Sequence, residues 1–174
     1  MKRRIWCLAI IFLFLPLFFL SAQTPIPVGA SYDLGFSPGG SSLAFVLKAI
    51  HSAKSSLLVA CYEFTDRDIA EAIESAAHRG VKVKFVADYK AAQAKYSQIR
   101  ILKAAGIPIK LDERYSIHHH KFMVIDSASI ETGSFNYTTA AIKHNAENAL
   151  ILWNVLNLAK DYEEEFDGLW EESK

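Results

Sequence analysis

Residues 56–88 read SLLVACYEFTDRDIAEAIESAAHRGVKVKFVAD, and the order of patterns inside them decides the fold class. The first nine residues are an apolar, strand-like run. Asp66 then stands where a helix N-cap belongs, and Ile69, Ile73 and Ala77 recur on one face of the segment RDIAEAIESAAHR. Gly80 supplies the stop, because glycine enters the left-handed conformation that ends helices. From Val81 onward VKVKFVAD alternates apolar and polar, as a half-buried strand does. Strand, helix and strand at this short spacing argue for an α/β sandwich with a mixed sheet.

Working outward, the same alternation continues on both sides. QTPIPVGAS, residues 23–31, is a turn-rich arm; YDLGF reads as a strand; and SPGGSS is a loop in which Ser41 or Ser42 caps the helix LAFVLKAIHSA. Downstream, AKYSQIRILKAAG reads as a helix ending at Gly106, and IPIKLD and HKFMVID as strands. SIETGSFN, a helical turn from Tyr137, the strand-like ENALILW and an acidic terminal helix complete the chain. The expected fold is an α/β sandwich with a mixed central sheet flanked by helices, formed as one domain from 23–174.

Residues 1–22 have a different composition. A basic MKRR precedes the apolar IWCLAIIFLFLPLFFL, and Ser21-Ala22 precede Gln23. This is the layout of a signal peptide cut after Ala22, which implies a periplasmic or secreted protein. The alternative is an uncleaved membrane anchor. Beyond it the chain is charge-segregated: 23–160 carries 15 basic and 12 acidic residues, whereas 161–174 carries seven acids and one lysine. The basic body tolerates a polyanion, and the acidic tail reads as a solvated helix face. Cys61 is the single cysteine after residue 22, so it forms no internal disulfide; its apolar neighbours mark it as a buried, inert thiol.

Chemistry concentrates in residues 116–137, SIHHHKFMVIDSASIETGSFNY. Three consecutive histidines suggest metal, but alternation along an extended segment puts His119 with Lys121, and His118 with His120 on the other side. An ammonium beside a ligand histidine opposes a bound cation, and no second ligand cluster at zinc spacing follows. No metal and no cofactor is therefore expected. His119-x-Lys121, four residues, Asp126, six residues and Gly133-Ser134-x-Asn136 instead resemble the HKD signature of the phospholipase D superfamily. The single copy and the signal peptide are most similar to its small secreted bacterial endonucleases.

That resemblance implies phosphodiester hydrolysis with His119, Lys121 and Glu147 as catalytic residues, and Lys121, Ser134 and Asn136 around the phosphate. Elementary chemistry agrees. Ammonium and amide groups neutralise non-bridging oxygens, while an imidazole attacks phosphorus or moves a proton near neutral pH. Glu147, 11 residues after Asn136, is the family's acidic partner for His119. Asp126 and Gly133 read as structural, Asp126 because it should face away from Lys121. His118 and His120 read as bystanders or groove residues. Tyr62, Phe64 and Tyr137 are aromatic candidates for a substrate groove.

In-line displacement puts nucleophile and leaving group on opposite sides of phosphorus, and one imidazole serves both poorly. A twofold homodimer would supply the second His119 and Lys121. The expected enzyme is thus a metal-independent, non-specific nuclease acting on DNA or RNA through a phosphohistidine, with no membrane contact once the leader is cleaved. The alternatives are a phospholipase D-type lipid phosphodiesterase and a non-catalytic phosphate clamp.

Overall fold

The computed structural model describes residues 23–174; the expected signal peptide, 1–22, lies outside the described residues. Seven strands form one mixed sheet: β1 (Ser31–Ser37), β2 (Ser56–Cys61), β3 (Lys82–Asp88), β4 (Ile109–Asp112), β5 (Lys121–Ile125), β6 (Ser129–Gly133) and β7 (Glu147–Trp153). Their spatial order is β1-β7-β6-β5-β2-β3-β4. The β2-β3-β4 portion is parallel and the rest antiparallel, so the expected mixed sheet is present.

The helices are α1 (Ser41–Ser52), α2 (Arg67–His78), α3 (Tyr89–Ala92), α4 (Ile99–Ala104), α5 (Thr139–Lys143) and α6 (Leu156–Glu172). One face of the sheet packs Val59, Phe85, Met123 and Ile151 against Ile50 of α1 and Ile69 and Ile73 of α2. The other packs Ala60, Val86, Phe122 and Val124 against Ala159, Phe166 and Leu169 of α6. The acidic tail is therefore the outer face of a helix whose inner stripe closes this second core. Alternation on β3 follows from the two layers: Phe85 and Val83 enter one, Val86 the other.

Local chemistry fixes the element ends. The Asp66 carboxylate accepts from Ile69 N at 3.2 Å as the α2 cap, and Gly80 adopts φ 91° just past its end. Two expectations need correction. Gly40, not Ser41 or Ser42, caps α1; the Ser41 hydroxyl instead bridges Phe36 N and Phe36 O at 2.9 Å each, clamping the end of β1. The helix read over 94–106 shrinks to Ile99–Ala104, because Gln98 N donates to Phe64 O at 2.9 Å and ties the preceding turn to the β2 loop. That long-range bond overrides helix propensity.

Candidate active site

The register brings six strand ends together at one end of the sheet. Cys61, at the end of β2, pairs with both Ala87 of β3 and Lys121 at the start of β5. Gly133, at the end of β6, pairs with Ala149 of β7, and β7 begins at Glu147 opposite Ser37 of β1. This is the end beyond the carboxyl termini of the parallel strands, where open α/β sheets place ligands.

Lys121 is 8% exposed. Its Nζ donates to His119 O at 2.6 Å and lies 5.4 Å from the centre of the Tyr62 ring. Burial pulls its pKa down, opposed by nearby Cys61, Glu147 and Glu63. His119 is exposed in the loop before β5, its ring 4.9 Å from that of Tyr62. His119, Lys121 and Tyr62 thus form one compact group. Ser134 donates to Glu147 Oε2 at 2.6 Å and accepts from Asn148 N at 3.1 Å. The Glu147 charge also reaches Lys121. Asn136 is partly exposed, with Oδ1 buried and unpartnered.

Glycine at 133 has a geometric reason. A Cβ there would lie 2.1 Å from Asn148 O, so only glycine lets β6 and β7 approach as they deliver Ser134 and Glu147. Asp126 sits past the far end of β5, in a left-handed turn at φ 53°. Its carboxylate accepts from the backbone N–H of Lys54, Ser55 and Ser56 and from the Ser55 hydroxyl, at 2.7–3.1 Å. Burial raises its pKa, but these donors outweigh burial and the net shift is downward. Length of strand, rather than strand face alone, separates it from Lys121: five residues span about 16 Å.

Three expected placements differ. Within one chain Glu147 makes no hydrogen bond to His119; Ser134 and, at 3.1 Å, Asn145 Nδ2 occupy its oxygens while His119 turns to Tyr62. Phe64 and Tyr137 are 2% and 0% exposed, so no base stacks on them; of the proposed groove aromatics Tyr62 alone reaches the site. Phe64 and Tyr137 instead form a bridge between their segments. The Tyr137 hydroxyl donates to Glu131 Oε2 at 2.5 Å inside the core. Burial pushes the Glu131 carboxyl up to about 8, against the lowering effect of the Tyr137 hydroxyl.

The histidine triplet splits as alternation requires, although residues 117–120 belong to no strand. His118 is 1% exposed. Its N–H donates to Asp88 Oδ2 at 3.0 Å, and its Nδ1 lies 3.1 Å from Asp112 Oδ2, which assigns that nitrogen the proton. Burial pulls the His118 pKa down, opposed by the Asp112 bond, so the ring is a neutral peg. His120 packs at 5.4 Å from it and 3.4 Å from Glu165 of α6. Sequence reading missed Asp88 and Asp112, yet a signal existed: VKVKFVAD and IPIKLD both end in aspartate, and the two pair in register. Among the described residues no trio of histidine, cysteine or carboxylate side chains is arranged to hold a metal ion, and no helix is long and apolar enough to cross a membrane. Cys61 is fully buried, and burial pushes its thiol far above the ordinary range.

With this geometry in place, residues 46–170 match the family model described as cardiolipin synthase, PLD-like domain. The chain belongs to the phospholipase D superfamily. It is 36% identical over 148 residues to the mitochondrial cardiolipin hydrolase of Mus musculus, an alignment covering 85% of this chain and 66% of that protein. It is 36% identical over 117 residues to phospholipase D of Rickettsia conorii, covering 67% and 58% respectively. The chain thus spans roughly half to two thirds of the curated relatives it matches. The crystal structure of Nuc, a phospholipase D family member from Salmonella typhimurium, superposes with a TM-score of 0.81 at 38% identity, over 83% of this chain and 97% of Nuc. The mixed sheet with flanking helices is therefore the fold of a solved phospholipase D superfamily member.

Proposed function

We propose that this protein is a metal-independent phosphodiesterase that hydrolyses nucleic acid through a phosphohistidine, at a site completed by a second copy of the chain. The observation that carries the reading is the grouping of an exposed imidazole, His119, with the half-sequestered ammonium of Lys121 and the Ser134–Glu147 pair at one sheet end. Lys121 and Asn136 neutralise the phosphate oxygens. One His119 attacks phosphorus as the P–O bond to the leaving alcohol breaks, and the partner copy's imidazole protonates that alcohol. The same imidazole then takes a proton from water, which displaces the first histidine and releases the phosphate product. Glu147, bonded within its own chain to Ser134, is also available to orient an imidazole across the dimer.

Lipid is the second reading, favoured by relatives named cardiolipin hydrolase and phospholipase D. The charge of the body, basic once the acidic helix is set aside, supports the polymer. The deciding experiment offers plasmid DNA, RNA and cardiolipin or phosphatidylcholine vesicles to purified protein in excess EDTA, with His119→Ala alongside. Nucleic-acid cleavage that survives EDTA and disappears in the variant supports the proposal; cleavage of vesicles alone moves the protein to the lipid branch. Co-refolding wild type with His119→Ala chains tests the shared site. Heterodimers should be inactive, whereas activity in proportion to wild-type chains argues for independent monomers.

A further inference from the structure

Beside the site lies a cleft of about 460 Å³ that the chemistry above does not use. Resting on the nucleic-acid reading, we infer that it is a nucleotide subsite, holding the strand on one side of the scissile phosphate. Arg67 and Lys143 meet a backbone phosphate, and Tyr96, with Leu43 and Ile142, receives a base.

Position is the first argument. Thr65 enters the cleft three residues after Tyr62, and Thr139 enters it three residues after Asn136. Three residues reach at most about 10 Å, so the cleft opens within a nucleotide or two of the reacting phosphorus. The two segments are tied together, because Thr65 N and Asp66 N both donate to Tyr137 O at 3.0 and 3.1 Å. Site and cleft therefore share a fixed wall.

Charge is the second. Lys48, Arg114, Lys160 and Lys174 pair with carboxylates, whereas Arg67 and Lys143 are exposed and make no ion pair among the described residues. Two acids line the same cleft. Asp66 is buried and already accepts from Ile69 N and, at 3.4 Å, from the Thr139 hydroxyl. Asp68 lies exposed in the first turn of α2, so two carboxylates match the two cations in number, but Asp66 is turned to the helix cap and Asp68 alone shares the open surface with them.

Shape is the third. Tyr96 is 70% exposed, on a turn anchored by Gln98 through its Nε2 bond to Tyr96 O at 3.3 Å and its N–H bond to Phe64 O at 2.9 Å. Lys95 Nζ lies 5.2 Å from the centre of the Tyr96 ring, which lines the cleft together with Arg67 and Lys143; an aromatic ring and cations along one groove are what a single-stranded polymer requires. The volume falls in the range of sites that hold small molecules, about 300–1,000 Å³.

The test compares a single-stranded DNA 40-mer with bis(p-nitrophenyl) phosphate, which is large enough for the catalytic group alone. The full chain, its Arg67→Glu/Lys143→Glu double variant and Tyr96→Ala are measured, with Arg67→Lys/Lys143→Arg as the conservative control. The expected result is a fall of about 30-fold in the ratio of kcat/KM for polymer to that for the small diester in the double variant, mostly through KM. The slope of log binding against log salt should shrink by about 0.7, for the one backbone phosphate the two cations no longer neutralise. Tyr96→Ala lowers the ratio by about tenfold, in the range of one lost stacking contact, and the conservative control restores it. An unchanged ratio, with His119→Ala still abolishing both reactions, overturns the subsite and leaves the proposed function standing. Cleavage of the small diester and of cardiolipin vesicles, but of no polymer, overturns the nucleotide assignment while phosphodiester chemistry survives.

Discussion

The five residues of β5 join two ends of opposite character. At the Asp126 end every oxygen of the carboxylate is occupied, by three backbone amides and a hydroxyl. At the Lys121 end hydrogen-bonding capacity is left over. The ammonium has one acceptor, the His119 carbonyl; the His119 ring has only an aromatic neighbour; and Asn136 keeps an oxygen without a partner. Saturated polar groups hold a structure together, whereas unsatisfied ones are free to bind. The signature therefore spans one strand because it needs both: a tied end to fix the strand and an open end to do the work.

The sharpest way to break this contrast is to remove the open end. His119→Ala or Lys121→Met should lower kcat on the order of 10⁴-fold while leaving the melting temperature unchanged; a parallel loss of fold would make both ends structural. Gly133→Ala should act on both properties at once. Its Cβ has no room against Asn148 O, so urea denaturation should show a loss on the order of 3 kcal/mol, with activity reduced through displaced Ser134.

Asp126→Ala tests the tied end, with an expected cost of about 2 kcal/mol in stability and near-normal kcat for the folded fraction. The Asp126 carboxyl is held below its ordinary value, so its contribution is present above that value, 3.8, and lost as pH falls through the lower folded one. Acid unfolding of the variant should lack that component. A smaller effect, about tenfold in kcat with KM little changed, is expected for Asp112→Asn, which loosens the His118 peg under the loop that carries His119. His118 itself has a lowered pKa, so the stability it contributes is present above 6.5 and fades as pH drops below it. The last test is Glu131→Gln. The buried carboxyl has a raised pKa, so its contribution is whole below 4.5 and is lost as pH rises through about 8. The variant should match wild type at pH 5 and exceed it at pH 8 in thermal melts.

Where one physical rule dominated, the sequence was enough. Alternation located β3, short apolar runs located β5 and β7, and the spacing of Ile69 and Ile73 with Asp66 and Gly80 framed α2 to within a residue or two. The spacing from His119 to Asn136 picked out Lys121 and Gly133, which the sheet brings to one end, and Asp126, which it holds at the other. Contacts between distant segments were not legible. Nothing local shows that Gln98 spends its N–H on Phe64, that Phe64 and Tyr137 turn inward to bridge each other, or that Glu131 lies wholly buried beneath a tyrosine hydroxyl. The Glu147 carboxylate illustrates the same limit: its distance in sequence from His119 is suggestive, yet Ser134, at the neighbouring strand end, takes it first.

The burial of Cys61 bears on how the molecule ages. Among the described residues it and Met123 are the only sulfur atoms, they face each other's strands in the middle of the sheet, and both are 0% exposed. Oxidants attack exposed thiolates and thioethers first, and here both are shut away from water beside a candidate site built of nitrogen and oxygen groups. A protein built this way should keep its full turnover through exposure to peroxide that silences enzymes dependent on an accessible cysteine.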